Sequence, residues 1–142
     1  MPDAHIRTLL TREESYAVHA LIYAAEHPGA SAARMARDLA FPAAFFAKVL
    51  ARLVDAGLLS SRTGRSGGVT IADRALSMSL LDVIEAVSGP MVVDTCQAQT
   101  LCATQRRTGT CALNGAYHRA AAEIRRVLSG VRIGELADVP RA

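Results

Sequence analysis

Apolar and polar positions in the first half of the chain follow the period of an α-helix, and this pattern predicts three helices. Thr11 and Glu14 form a capping-box pattern in front of the first helix, over residues 12–27. A second, shorter helix is expected over residues 31–40 and a third over residues 42–56, with a proline in its first turn and a glycine after its end. The predicted core face of the third helix consists of Phe45, Val49, Leu50, Leu53 and Val54.

A β-hairpin is predicted next, because short apolar stretches at residues 58–62 and 69–71 flank a glycine-rich turn. Beyond it we expect a fourth helix over residues 80–87 and a long last helix over residues 112–129. Residues 91–110 between them are polar and lack a helical period. Three helices followed by a two-stranded wing is the element order of a winged helix-turn-helix.

We therefore predict a mainly α fold in two parts. A winged helix-turn-helix DNA-binding head spans residues 1–75, and residues 76–142 hold dimerisation helices with a cysteine-bearing sensor loop at about residues 91–111. The long C-terminal helix has an apolar stripe that a small helical head cannot cover, so a homodimer through this helix is expected. Such a dimer carries two recognition helices toward two DNA half-sites. The stripe consists of Leu113, Ala116, Ala120, Ala121, Ile124, Val127 and Leu128.

The composition is that of a globular helical protein. Of its 142 residues, 51% are hydrophobic, which excludes global disorder. The formal net charge is only +3, with basic residues in both halves, so any electrostatic contact with DNA must be local. No apolar run reaches the roughly 18–20 residues of a membrane helix. No membrane partner is expected, and a cytoplasmic location is predicted.

The third helix is expected to enter the major groove of a double-stranded DNA operator. Lys48 and Arg52 have the length to reach phosphates or base edges, whereas Ala44 offers only apolar contact with thymine methyl groups. Arg65, at the wing tip, has the charge to enter a minor groove. A plain core helix and a plain hairpin are the alternatives, and the order of the elements favours DNA binding. The predicted DNA contacts are Ala44, Lys48, Arg52, Arg62, Thr63, Gly64, Arg65 and Gly67.

All three cysteines, Cys96, Cys102 and Cys111, fall within sixteen residues, two in the polar segment and the third directly after it. An odd, clustered set in a reducing compartment is not a structural disulfide pattern. Three thiolates on one loop suit a soft metal ion or an iron–sulfur cluster. A compact zinc site is less well supported, because no Cys-x-x-Cys pair is present.

Two other uses of the cysteines remain open at this point. Without a cluster they would act as a thiol redox sensor that forms a disulfide, with Arg106 and Arg107 lowering a cysteine pKa. An enzyme would use Cys102 or Cys111 as nucleophile and His118 as base, but no nucleophile elbow or oxyanion loop supports this. We therefore expect neither catalysis nor a small-molecule substrate. A helical partner-binding module would leave the wing unexplained.

From residue 10 to residue 138 the sequence resembles the IscR/NsrR-type winged-helix transcriptional regulators, the Rrf-two family. The resemblance covers the first helix, the end of the recognition helix with the first wing strand, the wing tip, the fourth helix and the cysteine loop. The matching positions are Leu10-Thr11-x4-Tyr16-Ala17-Val18, Leu50-x-Arg52-Leu53-x3-Gly57-Leu58-Leu59-Ser60-Ser61, Gly64-x2-Gly67-Gly68, Asp82-Val83-Ile84-x-Ala86-Val87-x-Gly89, and Cys96-x5-Cys102-x8-Cys111-x-Leu113.

This resemblance implies a homodimeric regulator, a repressor, whose operator binding is switched by a [2Fe-2S] or [4Fe-4S] cluster sensing nitric oxide, redox or iron status. The resemblance assigns Cys96, Cys102 and Cys111 as ligands of the cluster. Aerobically purified protein can lack it. Relatives carry polar or acidic residues where this recognition helix has Ala44 and Ala47, so a different operator sequence is expected.

The fourth ligand does not carry over from these relatives. IscR-like proteins place a histidine three residues after the last cysteine, where this chain has Asn114. NsrR-like proteins use an acidic residue near the start of the first helix, reaching across the dimer. The matching position is Ser15, beside Glu14 and Glu13, so the candidates are Glu14, Glu13 and His118, in that order.

Overall fold

The computed structural model describes residues 5–64, 67–98 and 102–138, and its first three elements are the predicted helices. They are α1 (Arg12–Glu26), α2 (Ala32–Leu39) and α3 (Ala43–Asp55), each ending within one residue of its predicted bounds. Both halves of the α1 capping box form. The Thr11 hydroxyl accepts from the Glu14 N–H at 3.1 Å, and the Glu14 carboxylate accepts from the Thr11 N–H at 2.9 Å.

A tight turn joins α2 to α3. Ala40 adopts the left-handed conformation with φ of +56°, and Pro42 precedes the first turn of α3. The Phe41 ring stacks on Tyr16 of α1 with ring centroids 3.7 Å apart. This contact fixes the turn, and with it the start of α3, against α1.

The wing is an antiparallel hairpin of β1 (Leu59–Arg62) and β2 (Gly68–Ile71), as predicted. Its second strand also pairs with the loop after α1. The Val69 N–H donates to the Ala30 carbonyl at 2.8 Å, and the Gly29 N–H donates to the Val69 carbonyl at 3.1 Å. A Cβ on Gly68 would lie 2.0 Å from the Gly29 carbonyl oxygen, so only glycine allows this approach.

The described residues of the second half form helices joined by loops. Two of its helices, α5 and α7, were predicted; three short α-helices and a 3-10 helix were not. The α-helices are α4 (Asp73–Leu76), α5 (Leu80–Ser88), α6 (Ala103–Thr108), α7 (Ala112–Ser129) and α8 (Ile133–Leu136), and the 3-10 helix is Thr95–Ala98.

The core forms where α1 packs against α3, α5, α8 and the wing. It draws on both predicted parts of the chain, because Val83 of α5 and Ile133 of α8 are fully buried in the same cluster. One predicted core position was wrong. Phe46 is 1% exposed and Phe45 is 36% exposed, because Phe46 lies one turn before Val49 on the buried face.

The apolar stripe of α7 has little protein against it. Among its seven predicted members only Ala121 is buried, while Leu113 and Val127 are 58% and 54% exposed. Within the described residues α7 packs chiefly against α5 and the 3-10 helix. Across all the residues that the structure describes, no helix is long and apolar enough to cross a membrane.

Candidate functional site

The exposed face of α3 is lined by small side chains around a single cation. Ala44, Ala47 and Lys48 are all exposed, and Lys48 forms no ion pair with any described residue. Alanines let a helix approach a groove floor closely, but they provide no hydrogen bonds to base edges. This face therefore offers one charged side chain and an apolar surface.

Arg52, at the other end of α3, is turned toward its own protein. Its Nε lies 3.1 Å from Oε1 of Glu13, and its Nη1 donates to the carbonyl of Val87 at 3.3 Å. The side chain remains 60% exposed. Arg52 therefore ties α3 to the start of α1 and the end of α5, while one side of its guanidinium still faces solvent.

The predicted wing residues lie at the turn of the hairpin. Arg62 ends β1 opposite Gly68, and Arg62, Thr63 and Gly64 are exposed. Gly64 has a φ of +100°, and a Cβ on Gly67 would lie 2.4 Å from the Arg62 carbonyl oxygen. Both glycines are thus required by the turn itself. The predicted contact Arg65 lies outside the described residues.

The three cysteines lie near the N-terminal end of α7, and two of them contact Asn114. Cys111 is the N-cap of α7, and its sulfur accepts from the Asn114 N–H at 3.3 Å. The Asn114 side-chain amide donates to the Cys96 carbonyl at 3.4 Å and lies 3.9 Å from the Cys96 sulfur. All three thiols are free and half-buried. Asn114 therefore links two of the three cysteines, Cys96 and Cys111.

Cys102 is the N-cap of α6. The N–H of Gln105, followed by that of Thr104, donates to its sulfur and holds the pKa of the thiol below its usual range, against the effect of burial. The nearby Cys111 thiol lowers the same pKa. Cys102 therefore lies close to Cys111.

The donor set fits an iron–sulfur cluster in kind, since three soft sulfur ligands lie near the start of α7. In position they do not form a ligand shell. Among the described residues, no group of three or more His, Cys, Asp or Glu side chains is arranged to hold a metal ion. A cluster bound by all three cysteines would therefore require their sulfurs to move closer together.

Each candidate for the fourth ligand has a partner within the protein. Glu14 is buried and completes the α1 capping box, and Glu13 pairs with Arg52. His118 is exposed, with its Nδ1 3.4 Å from the Gln97 side-chain amide. Of the three, only His118 lies on α7, the helix that Cys111 caps.

Sequence reasoning missed one polar junction beside this site. The Glu85 carboxylate accepts from Nη1 of Arg125 on α7 at 3.0 Å and from the Met91 N–H at 2.9 Å. The Arg125 guanidinium, then the Met91 N–H, hold the pKa of Glu85 below its usual range, against the effect of burial. No motif marks this junction, because its members lie 40 residues apart in the chain.

Comparison with known proteins shows which family this chain resembles. The Rrf2 family, described as iron-dependent transcriptional regulators, matches residues 10–139. Protein aau3 of Rhizobium meliloti (strain 1021) is 30% identical over 132 residues, which cover 89% of this chain and 83% of the relative.

Solved structures of the same fold include two regulators with low sequence identity. CymR, the global cysteine regulator of B. subtilis, has a TM-score of 0.71 at 18% identity, covering 95% of this chain and all of that one. T. potens IscR has a TM-score of 0.70 at 19% identity, covering 95% of this chain and 94% of that one. The match to the family over most of the chain agrees with the winged-helix head and its helical second half. The chain belongs to the Rrf2 family of DNA-binding transcriptional regulators.

Proposed function

We propose that operator binding by this regulator is switched by an iron–sulfur cluster held by Cys96, Cys102 and Cys111. The observation that carries the proposal is that three free, half-buried thiols lie near the start of α7, two of them in contact with Asn114. The family's description as iron-dependent regulators supports it. When bound, the cluster supplies iron–sulfur bonds that nitric oxide, oxidants or iron loss can break.

The chain's own residues would respond to that change. In the described state Cys96 is held by Asn114, and Cys102 lies close to Cys111. Cys96, Cys102 and Cys111 would hold the cluster, and binding all three sulfurs at one centre would move the segment with Cys96 from the position in which Asn114 contacts it. We therefore propose two positions of the segment, one for each state of the cysteines.

A homodimer is the second part of the proposal. An apolar groove of about 410 Å³ runs between the N-terminal arm and α7, lined by Leu9 and Leu10 on one side and Ile124, Val127 and Leu128 on the other. With the exposed stripe of α7, it forms a continuous apolar surface of the kind that a second copy covers in a two-fold dimer. The two α3 helices and wings would then contact two operator half-sites through Lys48, Arg62 and the wing turn.

A thiol switch without a cluster is the second candidate, favoured by the closeness of Cys102 to Cys111. The Cys102 thiolate would attack one oxygen of hydrogen peroxide, break the O–O bond and release hydroxide, giving a sulfenic acid. The Cys111 thiol would then attack that sulfur and release water, leaving a disulfide. An oxidized form of Staphylococcus aureus CymR is among the solved structures with this fold, with a TM-score of 0.66.

The deciding experiment is anaerobic purification with a visible spectrum and assays of iron and acid-labile sulfide on one sample. We expect coloured protein that contains both elements. Cys96→Ala, Cys102→Ala and Cys111→Ala should each abolish the colour and leave the dimer intact. Thr104→Ala, an exposed position of the same segment, serves as the control that should keep both.

Two results would contradict the cluster proposal. Colourless wild-type protein that resists anaerobic reconstitution, yet forms a Cys102–Cys111 disulfide with peroxide and then changes its operator affinity, would establish the thiol switch. Fully iron-loaded Cys102→Ala protein would remove Cys102 from the ligand set. The operator for these assays is a duplex that the wild-type protein selects from a random library, followed by fluorescence anisotropy.

A further inference from the structure

One side chain of the recognition helix makes two polar contacts with other elements. Arg52 reaches Glu13 at 3.1 Å and the Val87 carbonyl at 3.3 Å. Val87 lies in the last turn of α5, two residues before Gly89, where the chain leaves the helix. A planar guanidinium with five donors can hold two acceptors in fixed directions at once, which an ammonium group does less well.

The same end of α5 is joined to the cysteine segment. Glu85, two residues before Val87, accepts from the Met91 N–H at 2.9 Å and from Arg125 of α7 at 3.0 Å. Met91 opens the segment that leads to the 3-10 helix with Cys96. A shift of this segment relative to α7 therefore pulls on Glu85, and so on the turn of α5 whose carbonyl Arg52 holds.

We infer that Glu85 and Arg52 are positioning residues that transmit the state of the cysteine segment to the recognition helix. Glu85 connects α7 and Met91 to the last turn of α5, and Arg52 connects that turn to α3. This inference rests on the proposed function, because it requires operator affinity to depend on the cysteines. It also gives Arg52 a role other than the phosphate or base contact that its position on α3 predicts.

The two contacts are suited to coupling rather than to stability. The side chains of Arg52 and Arg125 are 60% and 41% exposed, and ion pairs this exposed contribute little to folding. Substitution of Arg52 or Glu85 should therefore preserve the fold and change the coupling between the cysteine segment and the recognition helix. Substitutions of this kind change coupling by about 2- to 30-fold.

The experiment measures operator affinity in two states of the full-length dimer. One state is iron-loaded, or peroxide-oxidised should no iron bind, and the other is apo and reduced. The variants are Glu85→Gln and Arg52→Lys, which keep size or charge. The matched control is Glu135→Gln, an exposed carboxylate that also accepts a backbone N–H, in α8. We expect the affinity ratio between the states to fall by about 2- to 30-fold in both variants and to stay unchanged in the control.

A second readout uses the reduced apo protein alone. Coupling is reciprocal, so the selected duplex should change the rate at which iodoacetamide labels Cys96, measured by mass spectrometry for each cysteine. This effect of DNA should be lost in Glu85→Gln and retained in Glu135→Gln. A role confined to folding would not produce that pattern.

The outcomes separate the two proposals. A wild-type dimer with the same affinity in both states, and Cys96 labelling that DNA does not alter, would overturn the proposed function together with this inference. A wild-type dimer that switches, alongside variants that switch with the full ratio, would overturn the inference alone.

Discussion

Replacing Lys48 with alanine should weaken operator binding and make the affinity less dependent on salt concentration. Lys48 is the only lysine of the chain, it is exposed on α3, and no described acidic residue neutralises it. Each phosphate neutralised by a protein cation contributes about 0.9 to the slope of log K against log salt concentration. A dimer presents two copies, so Lys48→Ala should reduce the slope by about 1.8. Over the fourfold range from about 50 to 200 mM salt, wild-type affinity should then fall by about 12-fold more than that of the variant.

The assay is fluorescence anisotropy of the selected duplex at several salt concentrations, with the dimer confirmed by sedimentation. Arg119→Ala removes the same charge from an exposed position of α7, away from α3, and should leave the slope nearly unchanged. A Lys48→Ala slope equal to that of wild type would refute the reasoning, because it would show that Lys48 neutralises no phosphate. A slope that falls equally in both variants would instead indicate a general charge effect.

Three further predictions concern stability and assembly. Phe46→Ala should lower the free energy of unfolding by about 3–5 kcal/mol, and Phe45→Ala, at a 36% exposed position, by much less; equal losses in urea unfolding would contradict the observed core. Val127→Glu places a charge in the apolar groove and should yield monomers in sedimentation, whereas an unchanged mass would remove this face from the dimer. Glu85 has a lowered pKa, so its stabilisation relative to Glu85→Gln should be present above its usual pKa of about 4.5 and lost as pH falls through the lower folded value. Melting temperatures across pH test this, and a pH-independent difference would count against it.

Most of the fold could be predicted from the sequence, because the sequence signals that define its elements are local. Capping residues, glycine stops and helical periodicity fix the three head helices, α5 and α7 to within about a residue, and the hairpin follows from its turn. Helical periodicity alone predicts Phe45 in the core, whereas the structure buries Phe46. Both lie one turn before Val49, at spacings of three and four residues, and only packing against Phe41 and α1 decides between them.

The geometry of the cysteine site was harder to predict from the sequence, because it depends on contacts between residues distant in the chain. The cysteines can be found from the sequence as the three sulfur donors, but nothing in their spacing shows that Cys102 lies close to Cys111 while Cys96 lies against Asn114. Short helices such as α6 carry no hydrophobic period, since their caps and turns, not a buried face, define them. Arg52 shows the same limit. Its place on α3 predicts DNA contact, and its partners Glu13 and Val87 come from other elements.

The composition of α3 bears on why geometry would control this regulator. Its exposed face offers alanines and one lysine, so few side chains can form the bidentate hydrogen bonds that distinguish one base pair from another. Affinity must then depend more on phosphate contacts, which require both heads of a dimer to meet the two half-sites at the correct spacing. When one head no longer meets its half-site, the phosphate contacts of that head are lost, and few base contacts remain to hold the dimer on the operator. We therefore expect modest movements of α3, transmitted through Arg52, to have large effects on operator occupancy.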